Sequence, residues 1–419
     1  MLSRRGAAGA ATLDIPWRFA PGANNRYDPV SNPGGVISFA TSENALMLDE
    51  IHDFAQQHAS IPALAYTYRF STEGGPRFPV AMAAHMNEYF SPVQSVEAEH
   101  IITGTGLTAM HELLGFSIAD PGDGILVSGP VYGRFELDFG NTSALRMVYA
   151  NVHGADALAP EVVSSFQEAL DTAAPRGVQV KALLIVNPHN PLGRTYPAQT
   201  LRAIMAFCEH NSIHLISDEV YALSTYAKDV KFAQGFTSVL SIDPAGLIDT
   251  NRLHVLYGMS KDFAAAGLRL GCLVTRNAAL RRAVSCNMRF HNPSGLSVAI
   301  GTAILEDREF VASFTALSRQ RLLSARDYTV SVLAEAGVRC EPANAGFFVF
   351  MDLSPWLSPP LSQTANDDER QSCEFALAEK LLDAGVGLHP GEEHAERAGQ
   401  FRLVFSSHDR ETLELGLAR

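Results

Sequence analysis

Several classes of protein are disfavoured by what this 419-residue sequence lacks. Its five cysteines are scattered and none forms a Cys-x-x-Cys pair, so the sequence indicates neither a disulfide framework nor a zinc knuckle, and we expect a cytoplasmic, reducing location. The 14 histidines include no His-Glu-x-x-His pattern, and no metal site is expected. No apolar run approaches the roughly 20 residues that span a bilayer, and we expect no membrane association.

Positive charge is also scarce. There are 32 Lys and Arg against 45 Asp and Glu, a net charge of -13, which argues against a nucleic-acid partner because such a partner requires a basic surface. The 47% hydrophobic content is typical of a globular protein with two or three domains. The first thirteen residues contain Arg4 and Arg5 but no acid; we expect a short disordered tail, with a mitochondrial presequence as the alternative.

Short apolar runs alternate with helical patterns through the middle of the chain. Residues 183–186 and 214–217, for example, are separated by a helical pattern around 198–209. Such alternation predicts an α/β fold with a mostly parallel sheet covered by helices. After residue 295 the pattern changes to long helical stretches followed by strands. We therefore expect an N-terminal arm and part of a small domain at 1–60, a large domain at 61–308, and the rest of a smaller α+β domain at 309–419.

A lysine lies in a distinctive turn, Tyr257-Gly-Met-Ser-Lys-Asp-Phe263, directly after an apolar run. A partly desolvated amine there would have the lowered pKa that a Schiff-base lysine needs. Arg269, eight residues later, is suited to bind a phosphate in bidentate fashion. An amine for an aldehyde and a guanidinium for a phosphate together suggest pyridoxal 5'-phosphate, although a solvated surface loop would also explain this segment.

Two further turns follow predicted strands. Gly104-Thr-Gly-Leu-Thr108 opens a helix, where free backbone N–H groups and the helix dipole form an anion site, or else only a tight turn. Asn187-Pro-His-Asn-Pro-Leu-Gly193 is stiffened by two X-Pro bonds at the end of a strand, where α/β sheets place ligands. Its Asn190 would be a rigidly held amide donor, with a simple proline-stiffened turn as the alternative.

Three polar residues lie in or at the end of apolar strands. Asp218, in Ser217-Asp-Glu-Val-Tyr221, is suited to keep a pyridine nitrogen protonated, which makes the ring an electron sink, although such acids also cap helices. Tyr221 is suited to contact the ring's phenolate oxygen. Arg402, inside the strand at 401–405, needs a partner, which would be a substrate carboxylate or an internal salt bridge.

In this order along the chain, these segments resemble fold-type I pyridoxal phosphate enzymes over nearly all 419 residues. The sequence is most similar to the fungal and animal type of the 1-aminocyclopropane-1-carboxylate (ACC) synthase-like branch of the class I/II aminotransferases. The similarity rests on Asn32-Pro-Gly-Gly-Val36, Ser42-Glu-Asn44, Asn187-Pro-His-Asn-Pro-Leu-Gly193, Ser217-Asp-Glu-Val-Tyr221 and Ser260-Lys-Asp262.

The resemblance implies a role for each matching residue. Lys261 would be the Schiff-base lysine and the base for the Cα proton, and Asp218 the partner of the pyridine nitrogen. Arg402 would bind the substrate α-carboxylate, and Glu43 would be an acid associated with S-adenosylmethionine. The remaining expected contacts are Asn190 and Tyr221 at the ring oxygen, Tyr132 stacked on the ring, and Gly106, Leu107, Thr108, Ser260 and Arg269 around the phosphate. A homodimer with shared active sites is also implied.

The sequence departs from the resembling family at two places. Gly258 stands where many relatives have a phosphate-binding serine. The tyrosine that relatives extend into the neighbouring subunit is not in register, since Thr72 falls near its position with Tyr66 and Tyr68 just upstream. The departures leave the reaction open.

Three reactions remain: ACC synthase-like elimination of a sulfur leaving group, transamination with a 2-oxo acid, and C–S β-lysis. Glu43 favours the first because a carboxylate pairs with a sulfonium, but it would equally be a helix cap. Asn44 or Ser42 is also expected to cap the helix that follows. An inactive binding protein of the same fold is disfavoured because Lys261, Asp218 and Arg402 are all retained. A dinucleotide-binding dehydrogenase is disfavoured because its glycine motif, Gly104-Thr-Gly106 with Ala109, lies a hundred residues into the chain.

Overall fold

The computed structural model describes residues 1–14, 25–226, 235–358, 367–391 and 397–419. The α-helices within these ranges are α1 (Arg4–Ala11), α2 (Leu48–His58), α3 (Phe78–Tyr89), α4 (Leu107–Ile118), α5 (Phe135–Gly140), α6 (Val162–Ala173), α7 (Ala198–His210), α8 (Ala278–Asn287), α9 (Gly295–Glu306), α10 (Arg308–Glu335), α11 (Asp367–Asp383) and α12 (Arg410–Ala418). The strands are β1 (Ile37–Ser38), β2 (Ile101–Gly104), β3 (Gly124–Ser128), β4 (Arg146–Ala150), β5 (Val180–Val186), β6 (His214–Asp218), β7 (Leu253–Gly258), β8 (Gly271–Thr275), β9 (Arg339–Cys340), β10 (Phe348–Asp352), β11 (Val386–Gly387) and β12 (Gln400–Val404).

The largest sheet in the described part of the chain has seven strands in the order β2-β8-β7-β6-β5-β3-β4. Neighbouring strands from β7 to β4 run parallel, whereas β8 is antiparallel to both β2 and β7. Successive side chains of β5 enter two different cores. Leu183 and Ile185 pack with α6 and α7, while Leu184 and Val186 pack with α4 and α5. Helices therefore cover both faces, and the predicted α/β fold is confirmed.

The carboxyl-terminal part of the chain forms a second, three-stranded sheet. In it β10 pairs antiparallel with β12 and with β9, and the 28-residue helix α10 packs against it through Leu322 and Ala325. The N-terminal segment joins this part, because β1 pairs parallel with β11. These pairings agree with the expected arm and small domain, whose boundaries remain predictions.

The N-terminal segment differs from two expectations. The first residues contain an exposed helix, α1, instead of a disordered tail, and Ser3 caps it by accepting a hydrogen bond from the Gly6 N–H at 3.1 Å. Neither expected cap of the next helix is used as one. Asn44 donates to Ser318 Oγ at 3.1 Å, and Ser42 bonds to Tyr221 at 2.9 Å, so both make tertiary contacts. Residues 15–24 of the expected arm, and residues 359–366 and 392–396 of the expected small domain, lie outside the described residues.

None of the helices that the structure describes combines the length and the apolarity that a membrane crossing requires.

Candidate active site

Three parallel strands bring the predicted polar residues to one edge of the large sheet. Asn190 follows β5, Asp218 ends β6 and Lys261 follows β7, and these strands are adjacent and parallel. Their carboxyl ends surround a cavity of about 350 Å³. The predicted site residues that line it are Glu43, Leu107, Thr108, Tyr132, Asn190, Asp218, Tyr221, Ser260, Lys261, Arg269 and Arg402.

The amine of Lys261 is largely buried in this cavity. Its Nζ donates a hydrogen bond to the backbone carbonyl of Ser42. Burial lowers the pKa of Lys261 to about 8, and the positive charge of Arg402 acts in the same direction, while Glu43 and Asp218 oppose the shift. About one amine in ten is therefore neutral at pH 7, compared with fewer than one in a thousand for an ordinary lysine. A neutral amine can act as nucleophile and base.

The turn before α4 forms a compact anion cradle. Gly106 caps the helix with φ of 88°, a backbone conformation that favours glycine, and a Cβ added there would lie 2.6 Å from Arg269 Nη2 and displace the guanidinium. Arg269 in turn donates to the carbonyl of Thr105 at 3.4 Å. With Thr108 and Ser260 on the same cavity, the helix N-terminus and the guanidinium suit a phosphate.

Close backbone packing explains why position 258 carries no hydroxyl. A Cβ added at Gly258 would lie 2.5 Å from the carbonyl oxygen of Leu270. On the facing strand, a Cβ added at Gly271 would lie 2.6 Å from the backbone nitrogen of Leu107. The lysine turn, β8 and the phosphate turn are thus pressed together, and a serine at 258 would need the backbone to move.

Arg402 projects from β12 towards the same cavity. Its Nη1 donates to Asn190 Oδ1 at 2.9 Å and its Nη2 to the carbonyl of Ala40 at 3.0 Å. The ring of Phe348 lies 5.6 Å from the guanidinium carbon. These contacts orient the planar guanidinium of a buried side chain, as recognition of a carboxylate requires. They also fix the Asn190 amide with its oxygen on Arg402, which leaves Nδ2 as its donor end.

Tyr221 also lines the cavity, and it follows the end of β6 by three residues. Its hydroxyl shares a 2.9 Å hydrogen bond with Ser42 Oγ. Burial raises the pKa of Tyr221 to about 12, although Ser42 and Arg402 act against the rise. The phenol is therefore protonated at neutral pH and is available as a hydrogen-bond donor.

The sequence did not indicate every residue that lines the cavity. Among those that were missed are His111 of α4 and Asp138 of α5. The Nδ1 of His111 lies 3.0 Å from Asp138 Oδ2, and its Nε2 lies 3.4 Å from Asp218 Oδ2. Helical spacing from Thr108 to His111, three residues, was a usable signal because both belong to one face of the helix. No sequence signal pointed to Asp138.

Other predicted residues lie at or beyond the rim. Glu43 is exposed at the cavity and α2 begins only at Leu48, so the helix-cap alternative for this acid is wrong. Tyr66 and Tyr68 are 75% and 101% exposed, and neither they nor Thr72 are among the described residues that line the cavity.

Taken together, the donor set fits pyridoxal phosphate. The cradle at Gly106 and Arg269 suits the phosphate of the cofactor. Lys261, with its lowered pKa, suits the aldehyde, and Asp218 suits the ring nitrogen. A seven-stranded sheet with this pocket at its carboxyl edge is the arrangement of a fold-type I pyridoxal phosphate enzyme.

The comparisons with known proteins agree. The model of the family "Aminotransferase class I and II" matches residues 36–419, and the chain belongs to this family. The predicted family and cofactor are thereby confirmed: the protein is an enzyme that depends on pyridoxal phosphate. The family also decides against the dehydrogenase.

Similar curated proteins carry two kinds of name. The chain is 31% identical over 413 residues to 1-aminocyclopropane-1-carboxylate synthase 1 of Oryza sativa subsp. indica, covering 94% of this chain and 82% of the relative. It is also 31% identical over 387 residues to a probable aminotransferase, sirI, of Leptosphaeria maculans, covering 91% and 89%. The ACC synthase-like resemblance is therefore confirmed, but the relatives do not decide the reaction.

Solved structures show the same fold at lower identity. An aromatic aminotransferase from Pyrococcus horikoshii OT3 matches with a TM-score of 0.74 at 19% identity, covering 93% of this chain and 95% of that one. A single mutant of Thermus thermophilus aspartate aminotransferase matches with a TM-score of 0.73 at 21% identity, covering 100% and 98%.

Proposed function

We propose that the protein removes the α-proton of an amino acid and eliminates a sulfur leaving group, as an ACC synthase-like enzyme acting on a substrate of the S-adenosylmethionine type. The observation that carries the proposal is the buried amine of Lys261, with its pKa lowered to about 8, on one cavity with Asp218, Arg402 and the rim acid Glu43. The relatives named ACC synthase support the sulfur substrate.

Each residue has a defined task in this proposal. Arg402 binds the substrate α-carboxylate, and Lys261 in its neutral form takes the proton from Cα. Asp218 would hold the ring nitrogen of the cofactor, Asn190 and Tyr221 would bind its ring oxygen, and Tyr132 would stack on the ring. When bound, pyridoxal phosphate supplies an electron sink that stabilises negative charge at Cα.

The position of the leaving group decides the product. With a sulfonium on Cγ, the electron pair left on Cα forms a bond to Cγ while the C–S bond breaks, which gives a three-membered ring and a neutral thioether. Glu43 favours this branch because an exposed carboxylate at the rim can pair with the sulfonium. Transamination with a 2-oxo acid is the second candidate, supported by the relative named as a probable aminotransferase; β-elimination of a thiol is the third.

We further propose a homodimer in the cytoplasm. Leu64, Tyr66, Tyr68 and Phe290 are exposed apolar side chains on segments that meet, since Gly295 packs against Ala65. The same surface reaches the phosphate turn, because the Thr105 N–H donates to the carbonyl of His291 at 3.0 Å. A second copy that covers this surface would lie beside the cofactor phosphate. The free cysteines suit a reducing location.

The experiment that tests the reaction is a substrate panel. Purified protein loaded with pyridoxal phosphate is incubated with S-adenosylmethionine, cysteine conjugates and common amino acids, each with and without a 2-oxo acid. We expect ACC from S-adenosylmethionine. Pyruvate with a free thiol would select the β-lyase instead, and a new amino acid formed only with the 2-oxo acid would select the aminotransferase.

The role of Glu43 is tested in the same panel. Glu43→Gln keeps the shape of the side chain but removes its charge, so we expect a loss of activity that is specific to the sulfonium substrate. An unaltered order of substrate preference would contradict a selectivity role for Glu43.

A further inference from the structure

Three elements of the fold meet behind Asp218. His111 comes from α4, one turn after the phosphate cradle, Asp138 comes from α5, and Asp218 ends β6. The imidazole lies between the two carboxylates, 3.0 Å from Asp138 and 3.4 Å from Asp218. All three side chains are buried, with exposed fractions of 4%, 9% and 7%. Asp138–His111–Asp218 is thus a continuous row of ionisable groups, called the acidic row below.

The middle member of the acidic row is a cation at neutral pH. A neutral imidazole can donate to only one carboxylate, whereas an imidazolium donates to both. Burial lowers the pKa of His111, but the hydrogen bonds and negative charges of Asp138 and Asp218 outweigh it and raise that pKa to about 9. For comparison, burial lowers the pKa of His254, which faces His214 and Thr275 in place of carboxylates, to about 3.

The acidic row is poorly explained by stability alone. Phe135 and Phe139 pack on the His111 ring, with centroids 5.1 and 5.4 Å away, and apolar side chains would fill such a space at lower desolvation cost. The row does restrict Asp218. One carboxylate oxygen of Asp218 faces His111, and the other accepts from the Val220 N–H at 3.1 Å. The carboxylate is therefore held by a hydrogen bond at one oxygen and by an ion-pair contact at the other.

We propose that His111, itself held by Asp138, is a positioning residue that keeps the carboxylate of Asp218 oriented for the protonated ring nitrogen of pyridoxal phosphate. The inference rests on the proposed role of Asp218. Two carboxylates and one imidazolium leave the acidic row with one net negative charge, which balances the single positive charge of a pyridinium. The groups then alternate in sign from Asp138 to the ring.

The direct test compares two cofactors. Dissociation constants of cofactor-free protein are measured for pyridoxal phosphate and for its analogue with carbon in place of the ring nitrogen, which cannot be protonated there. We expect wild type to prefer pyridoxal phosphate. His111→Gln should reduce this preference roughly tenfold or more, because the Gln amide carries no positive charge, and outer-shell residues that orient the ligands of a metal typically contribute ten- to hundredfold to its affinity.

Variants separate positioning from a structural role. Asp138→Asn should reduce the preference in the same direction and carries the test if His111→Gln does not fold. His153→Gln, which removes an exposed histidine paired with Glu168, is the matched control and should leave the preference unchanged. A preference kept within twofold in both row variants, or an equal loss of affinity for both cofactors, would overturn the inference.

A second readout needs no cofactor. In nitrogen NMR spectra of the cofactor-free protein, His111 should remain doubly protonated at pH 8 and should lose a proton at lower pH in Asp138→Asn. A neutral His111 at pH 7 in wild type would overturn the inference.

The variant Asp218→Asn distinguishes a failure of the proposed role of Asp218 from a failure of the inference about His111. If wild type shows no preference for pyridoxal phosphate, or keeps it in Asp218→Asn, the proposed role of Asp218 fails and this inference fails with it. If Asp218→Asn loses the preference but the row variants retain it, only the inference about His111 is wrong.

Discussion

Removal of the Arg402 guanidinium should weaken the binding of the substrate carboxylate specifically. The side chain is buried and is oriented by Asn190 and Ala40, so it is preorganised for a bidentate contact. A hydrogen bond to a charged group contributes about 1.5–3 kcal/mol, and two such bonds contribute about 3–6 kcal/mol. Arg402→Leu should therefore lower kcat/KM by roughly 150- to 25,000-fold.

Arg402→Lys gives an intermediate expectation. It keeps the positive charge but loses the planar pair of donors, so roughly half of that free energy should be lost, about tenfold or more in kcat/KM. Arg402→Leu also leaves the oxygens of Asn190 and Ala40 without their donor, which costs about 1–3 kcal/mol for each buried oxygen. A stability measurement in urea must therefore accompany the kinetics.

The assay separates carboxylate binding from damage to the fold. The best substrate of the panel is compared with its carboxamide, which has no negative charge at that position. Wild type should prefer the acid strongly, and Arg402→Leu should lose this preference. Arg339 lies on β9 and its side chain is 81% exposed, so Arg339→Leu is the matched control and should retain the preference for the acid. An Arg402→Leu protein that keeps the wild-type preference for the acid would refute the reasoning.

Three further predictions concern the lysine, its neighbour and the exposed surface. The pKa of Lys261 is lowered to about 8 and only the neutral amine reacts, so the rate of cofactor loading, followed by stopped-flow absorbance, should fall roughly tenfold per pH unit below about pH 8 and level off above it. Cofactor binding to Lys261→Ala, measured over the same pH range, corrects for the ionisation of the cofactor itself. A loading rate that stays constant from pH 6 to 9 would contradict this prediction. Asp262 accepts hydrogen bonds from Leu223 N–H, Ser224 and Tyr257 at 2.9, 2.6 and 3.1 Å, so Asp262→Asn should lower the free energy of unfolding by about 1–3 kcal/mol in urea titrations; an unchanged midpoint would count against this network. Tyr68→Asp should shift wild-type dimers towards monomers in sedimentation experiments, and a mass equal to that of wild type would exclude this surface as the interface.

The sheet and most of the candidate site could be predicted because their signals are local. Each strand end carries its own chemistry in the next few residues, as at Asn190, Asp218 and Lys261. Because the strands are parallel, their carboxyl ends lie at the same edge of the sheet, so no knowledge of distant contacts is needed to place these residues together. The glycine at position 106 was visible for the same reason, since this turn needs a positive φ, which favours glycine.

The rest depends on pairs that are distant in the sequence. His111 and Asp138 are 27 residues apart, and Ser42 and Tyr221 are 179 residues apart. No helical or strand period connects such residues. The prediction that Ser42 or Asn44 caps a helix was wrong because each side chain is used in a tertiary hydrogen bond that the local pattern does not reveal.

Covalent trapping of the cofactor tests the central proposal most directly. Protein loaded with pyridoxal phosphate is reduced with borohydride, digested and analysed by mass spectrometry. We predict a single modified peptide with the added mass on Lys261, while the other lysines of the sequence, Lys181, Lys228, Lys231 and Lys380, remain unmodified. Modification of another lysine in place of Lys261, or an unchanged visible absorption band in Lys261→Ala, would contradict the proposed site.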